Sequence, residues 1–424
     1  MRSWNDNLKK VAYALIAVSL VPVVWFLIIG STSKRKVRPE WLSKDLKTIE
    51  SMIYDHADPF WKNSKDIFKR YFKNAEKSIK KMHRMDFFLL IQPIFALLED
   101  HESFVHFGMP SYMPVLPFKV YFHDGELYIY DSISTDAKNG SRIEEFDGMD
   151  LEKFKSFLRK YIGAESESQW EFLAENFIFR LPSIQRKEAY RIKISGKDLK
   201  IYSVPISKYN AMKSKMYGRE KPFHTFEIGG VTILRVKTFS MWGQDIQDFE
   251  DTVENLASRS RRLIVDLRDN PGGDWREAKV LIEHLIKKST SLRNRLVFSE
   301  NSLCGGGEQE ENITVDPKDP VFDGKLLVLV NRKTLDEAYD AAVILSKSAS
   351  VVGEDPDMGI FRFTAVRFKR LPSVGMYFTL SCAKEFYLDT IKIDRYISEK
   401  GEELEKRIKG EADNVLKKAI EVIK

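Results

Sequence analysis

The chain has 424 residues, of which 43% are hydrophobic, so it is long enough to bury a sizeable core in two or three folding units. Its net charge of +6 comes from 68 basic and 62 acidic residues that are interspersed along the sequence. Because no basic stripe with interleaved aromatic residues occurs, the composition argues against a nucleic-acid partner. Cys304 and Cys382 show no CxxC or histidine spacing. We therefore expect no metal and no cofactor, and we leave a disulfide between them open.

The N-terminal region contains a candidate membrane anchor. The run from Val11 to Gly30 carries no charge, and at about 1.5 Å per residue it can span a hydrocarbon core of ~30 Å. A cleaved signal peptide has a shorter apolar region, of roughly 7–15 residues, followed by a small-residue cleavage site that is poorly matched here. We therefore predict an uncleaved single-pass anchor at residues 11–30, after a short tail at residues 1–10. Basic residues flank the run on both sides and leave its orientation open.

Two regions of different periodicity follow the anchor. Residues 31–104 are predicted to be helical, because apolar residues recur at helical spacing and Ser64 can cap one of the helices. Residues 105–222 are dominated by short strand patterns, with a hairpin signal at Asp124-Gly125. We predict a helical region that leads into a small β-rich cap.

Residues 223–424 alternate between buried strands and amphipathic helices, which predicts a layered α/β domain. The expected elements are strands at 231–236, 263–267 and 326–330, helices at 245–257, 275–286 and 335–346, and later strands at 349–352, 365–371 and 376–382. Residues 301–322 are polar and rich in glycine, and we expect them to form a loop near the cleft.

Two strand-to-turn motifs in this domain carry a family resemblance. The first runs from Asp266 to Gly273 (Asp-Leu-Arg-Asp-Asn-Pro-Gly-Gly), and the second is Thr334-Leu-Asp336-Glu after a buried strand. Together with a Val-Gly-Glu turn at 352–354, they resemble the tail-specific (C-terminal processing) and tricorn-core serine peptidases. That resemblance implies a crotonase- or Clp-like spiral core and a PDZ-like remnant in the cap. It also implies an extracytoplasmic soluble part, whereas the positive-inside rule slightly favours a cytoplasmic one.

The resemblance also assigns the site residues. The family turn reads Thr-Ala-Ser-Ala-Ala-Glu with a serine nucleophile, so Thr334 matches its threonine and Asp336 replaces the serine. His101 falls at the position of the general base. Gly272, Gly273 and the amide of Glu337 would donate to the oxyanion. The orienting acid aligns near Tyr387, with Glu385 and Asp389 beside it, and Glu385 is the candidate. The lysine of the processing branch has no counterpart at 351–361.

These residues predict a particular geometry. Asp336 should open a helix and face Gly272 and Gly273, where its carboxylate would lie among the oxyanion donors. It would also hold His101 protonated as an ion pair. Alternatively, Asp336 only caps the helix and His101 points elsewhere. A carboxylate at this position cannot form the usual acyl-enzyme.

Three hypotheses about function remain open from the sequence. The first is a membrane-anchored pseudo-peptidase that binds extended polypeptides or protein C-termini. The second is an active peptidase with a non-standard nucleophile, such as Thr334 or a nearby serine. The third is a structural partner of an active paralogue.

Overall fold

The structure is a computed structural model that describes residues 36–299, 305–359, 361–399 and 401–424. The predicted anchor at residues 11–30 lies outside the described residues. Within the described ranges, no helix is both long enough and apolar enough to cross a membrane.

The described chain contains helices and strands in a mixed α/β arrangement. The helices are α1 (Pro39–Ile53), α2 (Lys65–Ser78), α3 (Arg84–Ala96), α4 (Leu151–Leu158), α5 (Glu167–Gln185), α6 (Ile206–Tyr217), α7 (Gln244–Arg259), α8 (Trp275–Leu285), α9 (Asp336–Ser346), α10 (Glu402–Lys409) and α11 (Asn414–Ile423). The first ten strands are β1 (Val105–Phe107), β2 (Pro114–Val115), β3 (Lys119–His123), β4 (Glu126–Tyr130), β5 (Arg142–Phe146), β6 (Met149–Asp150), β7 (Ala189–Ile194), β8 (Lys197–Tyr202), β9 (Val204–Pro205) and β10 (Phe223–Ile228). The later strands are β11 (Val231–Val236), β12 (Arg262–Asp266), β13 (Thr290–Phe298), β14 (Gly307–Val315), β15 (Lys325–Val330), β16 (Ser350–Gly353), β17 (Phe361–Leu371), β18 (Met376–Tyr387) and β19 (Arg395–Tyr396).

The central sheet has the strand order β10-β11-β12-β15-β16-β19 and is parallel except for β10. Its inner strands are nearly continuous apolar runs because both faces of the sheet are covered. Residues of α7, α8 and α9 share one hydrophobic cluster with one face of this sheet. Residues of α11 pack with the opposite face. This sandwich fixes the carboxyl ends of β12 and β15 next to each other.

A second sheet, with the order β3-β4-β5-β7-β8 and with β6 beside β5, forms the cap. Helices α1 to α5 share a continuous hydrophobic cluster with this cap sheet and with part of β18. Strand β18 also belongs to a third sheet, β1-β18-β13-β14, to which β17 is added. The third sheet therefore connects the helical region to the α/β core.

Residues 307–315 differ from the sequence expectation. They form β14, which pairs with β13 over its whole length, although the sequence predicted a loop at 301–322. Most side chains of β14 are exposed, so the strand buries few apolar side chains and has no strong hydrophobic signal. Its partner β13 also joins β18. The pairing therefore depends on tertiary context that the local sequence does not encode.

Candidate active site

The two predicted turns lie side by side at one edge of the central sheet. Strands β12 and β15 are parallel neighbours, with Asp266 opposite Leu329, so their carboxyl ends meet at the same edge. The amide of Leu335 donates to the carbonyl of Asn270 at 2.9 Å, which holds the second turn against the first. The tight packing of these turns positions the start of α9.

Asp336 is the first residue of α9, and its backbone φ of +47° lies in the left-handed region. Aspartate tolerates this conformation better than most non-glycine residues. The N-terminus of a helix stabilises an anion by about 0.3–1 kcal/mol, so this position favours an ionised carboxylate. The side chain is 16% exposed and points into the cleft toward His101.

His101 lies between two carboxylates. Its Nδ1 is 3.0 and 2.9 Å from the two carboxylate oxygens of Glu165, and its backbone amide donates to Glu165 at 3.0 Å. Its Nε2 is 3.4 Å from Oδ2 of Asp336. The order acid–histidine–residue 336 is that of a serine-peptidase triad with a carboxylate in place of the hydroxyl.

The charges of the neighbours decide the protonation of this pair. Burial alone would lower the pKa of His101, but the charges of Glu165 and Asp336 outweigh it and hold that pKa well above its ordinary value. Burial would raise the pKa of Asp336, yet His101 and Arg362 keep it below its ordinary value. Both directions favour an imidazolium at His101 beside a carboxylate at Asp336. A protonated imidazole cannot accept a proton from a nucleophile.

Glu385, the sequence candidate for the acid, has a different role. Its carboxylate accepts from Nε of Arg362 at 2.6 Å and also contacts Asn294, which leaves the place beside His101 to Glu165. Arg362 in turn donates to Asp340 at 2.9 Å and lies 3.6 Å from Asp336. Glu385 thus helps to hold the arginine that faces Asp336.

The predicted oxyanion donors are present, but Glu337 covers one of them. The amide of Gly273 donates to Oε2 of Glu337 at 2.8 Å. A Cβ added at Gly272 would lie 2.8 Å from Cβ of Asp336, so only glycine fits there. The sequence predicts that the Asp336 carboxylate lies among these donors. In the structure the carboxylate of Glu337 accepts from the donor, because Asp336 turns toward His101 and Arg362.

Thr334 is a scaffold residue in this structure. It is fully buried, its hydroxyl donates to the carbonyl of Leu267 at 3.0 Å, and the same oxygen accepts from the amide of Asn331 at 3.0 Å. Both the donor and an acceptor site of this hydroxyl are therefore used within the scaffold. The roles expected for Thr334, in substrate binding or as a displaced nucleophile, stay predictions that these bonds do not favour.

Sequence reasoning missed three side chains of the site. Glu165 comes from the loop between α4 and α5, Arg362 from β17, and Glu102 from the loop after α3. Glu102 lies 3.6 Å from Nε2 of His101 and could have been suspected because it directly follows the candidate base. Glu165 and Arg362 stand in no motif, and only the folding of distant segments brings them to Asp336.

A cavity of about 540 Å³ adjoins His101. Its lining is mainly apolar and includes Phe104, Met109 and Phe177, with Arg180 and Asn176 as polar members. Among the described residues, Arg180 makes no ion pair, and burial lowers its pKa. The cavity therefore combines apolar walls with an arginine that no acidic side chain of the described chain pairs with.

Comparison with known proteins agrees with this geometry. Residues 230–359 match the model of peptidase family S41. The matched segment includes both turns and α9. This part of the chain belongs to peptidase family S41. The resemblance to the tail-specific and tricorn-core peptidases drawn from the two turn motifs is thereby confirmed. A search of curated proteins finds no significant match.

Solved structures resemble the chain outside the S41 segment as well. Mature CPAF is 14% identical with a TM-score of 0.62, and the match covers 91% of this chain and 98% of that one. Mature CPAF complexed with lactacystin gives the same identity and TM-score, with 91% and 99% covered. The photosystem II D1 C-terminal processing protease is 13% identical, with 84% and 92% covered and a TM-score of 0.49. At these identities the CPAF likeness shows a shared fold.

Proposed function

We propose that this S41-fold protein has lost serine proteolysis and binds extended polypeptides or protein C-termini. The observation that carries the proposal is the Asp336–His101 ion pair at the nucleophile position. An anion there cannot add to a peptide carbonyl as a serine alkoxide does, and the paired imidazolium cannot act as the base. The Glu337 carboxylate on the Gly273 amide further opposes a substrate carbonyl in the oxyanion hole.

Polypeptide binding is supported by the cavity beside His101. Its apolar walls suit side chains of an extended peptide, and Arg180 suits a carboxylate. A C-terminal residue supplies both groups at once. The arrangement therefore favours protein C-termini over internal segments.

Of the two alternatives, a peptidase with a displaced nucleophile is less well supported because the Thr334 hydroxyl is already bonded within the scaffold. A purely structural partner of an active paralogue would need neither an apolar cavity nor an arginine such as Arg180 in its wall. The proposal includes the single-pass anchor at residues 11–30 with an extracytoplasmic soluble part, for which the uncharged run and the family resemblance are the support.

Two measurements on the purified full-length protein test the proposal. We expect no labelling by a fluorophosphonate probe and no cleavage of an unfolded protein substrate above the blank. Specific labelling of any serine or threonine, together with cleavage, would overturn the loss of serine proteolysis.

Fluorescence anisotropy tests peptide binding. We expect the protein to bind peptides that end in a hydrophobic residue with a free C-terminal carboxylate, and to bind the same peptides much more weakly when the C-terminus is amidated. Arg180→Gln should abolish this preference. Arg219→Gln, which changes a mostly exposed arginine paired with Asp245, is the matched control and should preserve it. Equal binding of free and amidated peptides would contradict the C-terminal mode, and no binding of any peptide would favour the structural-partner alternative.

A further inference from the structure

Three side-chain atoms that could bind a metal ion lie close together in the cleft, and they are not joined by strong hydrogen bonds. Nε2 of His101 and carboxylate oxygens of Glu102 and Asp336 all lie within 4.8 Å of one another. Nε2 is 3.4 Å from Asp336 and 3.6 Å from Glu102. Among the described residues, buried Nε2 of His101 and Oδ1 of Asp336 have no hydrogen-bond partner. The His101 side chain is only 9% exposed, and its contact with Asp336 is an ion pair at 3.4 Å that is too long for a strong hydrogen bond.

The spacing of these atoms fits a shared cation. Zinc binds imidazole nitrogen and carboxylate oxygen at about 2.0–2.2 Å in tetrahedral geometry, which places neighbouring ligand atoms about 3.3–3.5 Å apart. The distances from Nε2 of His101 to the carboxylate oxygens of Asp336 and Glu102 are close to this separation between neighbouring ligand atoms. They are longer than a strong charge-assisted hydrogen bond, which measures about 2.7–2.9 Å.

Glu165 prepares His101 for such a role. Its carboxylate engages Nδ1 of His101 at 2.9 and 3.0 Å. Without a metal, His101 is the imidazolium described above; a bound metal would displace the proton on Nε2, and Glu165 would keep the remaining proton on Nδ1. Metal-bound histidines almost always donate their other ring nitrogen to a carboxylate or carbonyl in this way. The amide of Phe363 also donates to Glu165, at 2.6 Å, and fixes the carboxylate in place.

A second histidine–acid group, formed by Asp100, His101 and Glu165, is already satisfied. Asp100 contacts His56 at 2.9 Å and accepts from Ser103, and it also accepts from the amide of Glu102 at 2.8 Å. The oxygens of Glu165 are engaged by His101 and by a backbone amide. The atoms that make no hydrogen bond and could bind a metal therefore lie on the Asp336 side of His101.

The charge balance points the same way. Arg362 is the arginine that contacts this set of acids within the described chain, and it is shared among Asp336, Asp340 and Glu385. Glu102, Glu165 and Glu337 add three further carboxylates around the same cleft. Even with His101 as a second cation, carboxylates outnumber cations in this partly buried cleft, and a bound cation or protons would stabilise them.

We propose that His101, Glu102 and Asp336 bind one divalent transition-metal ion, best matched by zinc, with Glu165 as the positioning residue. One nitrogen with two carboxylates suits zinc, because magnesium and calcium prefer all-oxygen sites. The Glu102 side chain is 43% exposed, so the site opens to solvent on that side and leaves a coordination position for water or a ligand. The proposal does not rest on the peptide binding proposed above.

Metal titration of the full-length protein tests the site directly. After treatment with a chelator and its removal, the protein is titrated with zinc chloride by calorimetry, and with cobalt(II) by visible absorption. We expect one equivalent of zinc and a cobalt spectrum typical of four or five coordination. His101→Gln and Asp336→Asn should each lower zinc affinity at least roughly 100-fold, and Glu165→Gln roughly 10–100-fold.

Glu99→Gln is the matched control, since Glu99 lies close in sequence but pairs with Lys62 at 2.7 Å. It should leave zinc affinity unchanged within about twofold. Circular dichroism checks the fold of each variant, and Asp336→Ser replaces any variant that fails to fold. The absence of stoichiometric binding, or binding that survives in folded His101→Gln and Asp336→Ser, would overturn the proposal.

Discussion

At the scale of single residues, positions 336 and 337 act together. Asp336 adopts a left-handed φ of +47° at the start of α9, and its carboxylate faces His101. The side chain of Glu337 reaches back to the amide of Gly273. In the proposed function, Asp336 replaces the nucleophile, and the Glu337 carboxylate occupies a donor that a substrate carbonyl would need.

Restoring serine chemistry should therefore require both changes. We expect Asp336→Ser alone to react slowly with a fluorophosphonate probe, and Asp336→Ser with Glu337→Ala to react at least roughly tenfold faster, because one oxyanion donor is worth ~10²–10³ in rate. Gel fluorescence after timed labelling measures both rates. Adding His101→Ala to the double variant should abolish labelling. A folded double variant that does not react would show that the Glu165–His101 pair cannot activate a serine at position 336.

Only part of this site could be predicted from sequence. Asp336 and Gly272–Gly273 stand in local motifs at strand ends, where the neighbouring residues fix their geometry. Glu165 and Arg362 reach the site from a loop and a strand far away in the sequence. Their side chains have no local signature, which is why Glu385 was the sequence candidate for the acid.

At the scale of elements, the start of α11 is tied to the loop that carries the oxyanion turn. Asp413 accepts from the amide of Leu416 at 2.9 Å and from the guanidinium of Arg268 at 3.0 and 2.7 Å. Burial would raise the pKa of Asp413, but the charge of Arg268 prevails and lowers it to about 2. This carboxylate therefore both caps a helix and positions the segment after β12.

Asp413→Asn should lower the free energy of unfolding by about 2 kcal/mol at neutral pH. Because the folded pKa is depressed, the contribution is complete above about pH 4 and is lost as the pH falls through about 2. Urea unfolding at several pH values between 7 and 2 measures it. Asp323→Asn, at a mostly exposed ion pair with Lys287, should have little effect. A difference that is constant down to pH 3 and below would contradict the assignment.

Strands and helices could be predicted from the sequence where their own pattern of apolar residues shows which side chains are buried. Strands β11, β12 and β15 are runs of apolar residues, and α7 and α8 show amphipathic spacing. Strand β14 escaped prediction because its side chains are mostly exposed and its order comes from pairing with β13. Such strands form because of contacts with elements that are distant in the sequence.

At the scale of the whole molecule, the cap is joined to the core near the site. The hydroxyl of Tyr121 on β3 donates to Asp269 at 2.6 Å, and Arg407 on α10 donates to the same carboxylate at 2.6 Å. Asp269 precedes the Gly272–Gly273 turn by a few residues. The cap sheet, the C-terminal helices and the oxyanion turn are thus held as one unit around the cleft.

The anchor predicted from the sequence would place this unit at a membrane. The uncharged run at residues 11–30 should keep the full chain in the membrane fraction after a carbonate wash, with its N-terminus intact. A chain that starts at residue 36 should appear in the soluble fraction and serves as the control. Recovery of a soluble form that begins near residue 31 would show instead that the segment is a cleaved signal peptide.

The central claim is that a carboxylate at position 336 holds His101 as a cation between two acids. Histidine NMR in the presence of a chelator tests it most directly, with the His101 signal identified by its loss in His101→Gln. We predict that His101 remains protonated well above the ordinary pKa of about 6.5 and that Asp336→Asn lowers this pKa, because one of the two stabilising anions is removed. An ordinary His101 pKa that Asp336→Asn leaves unchanged would contradict the account.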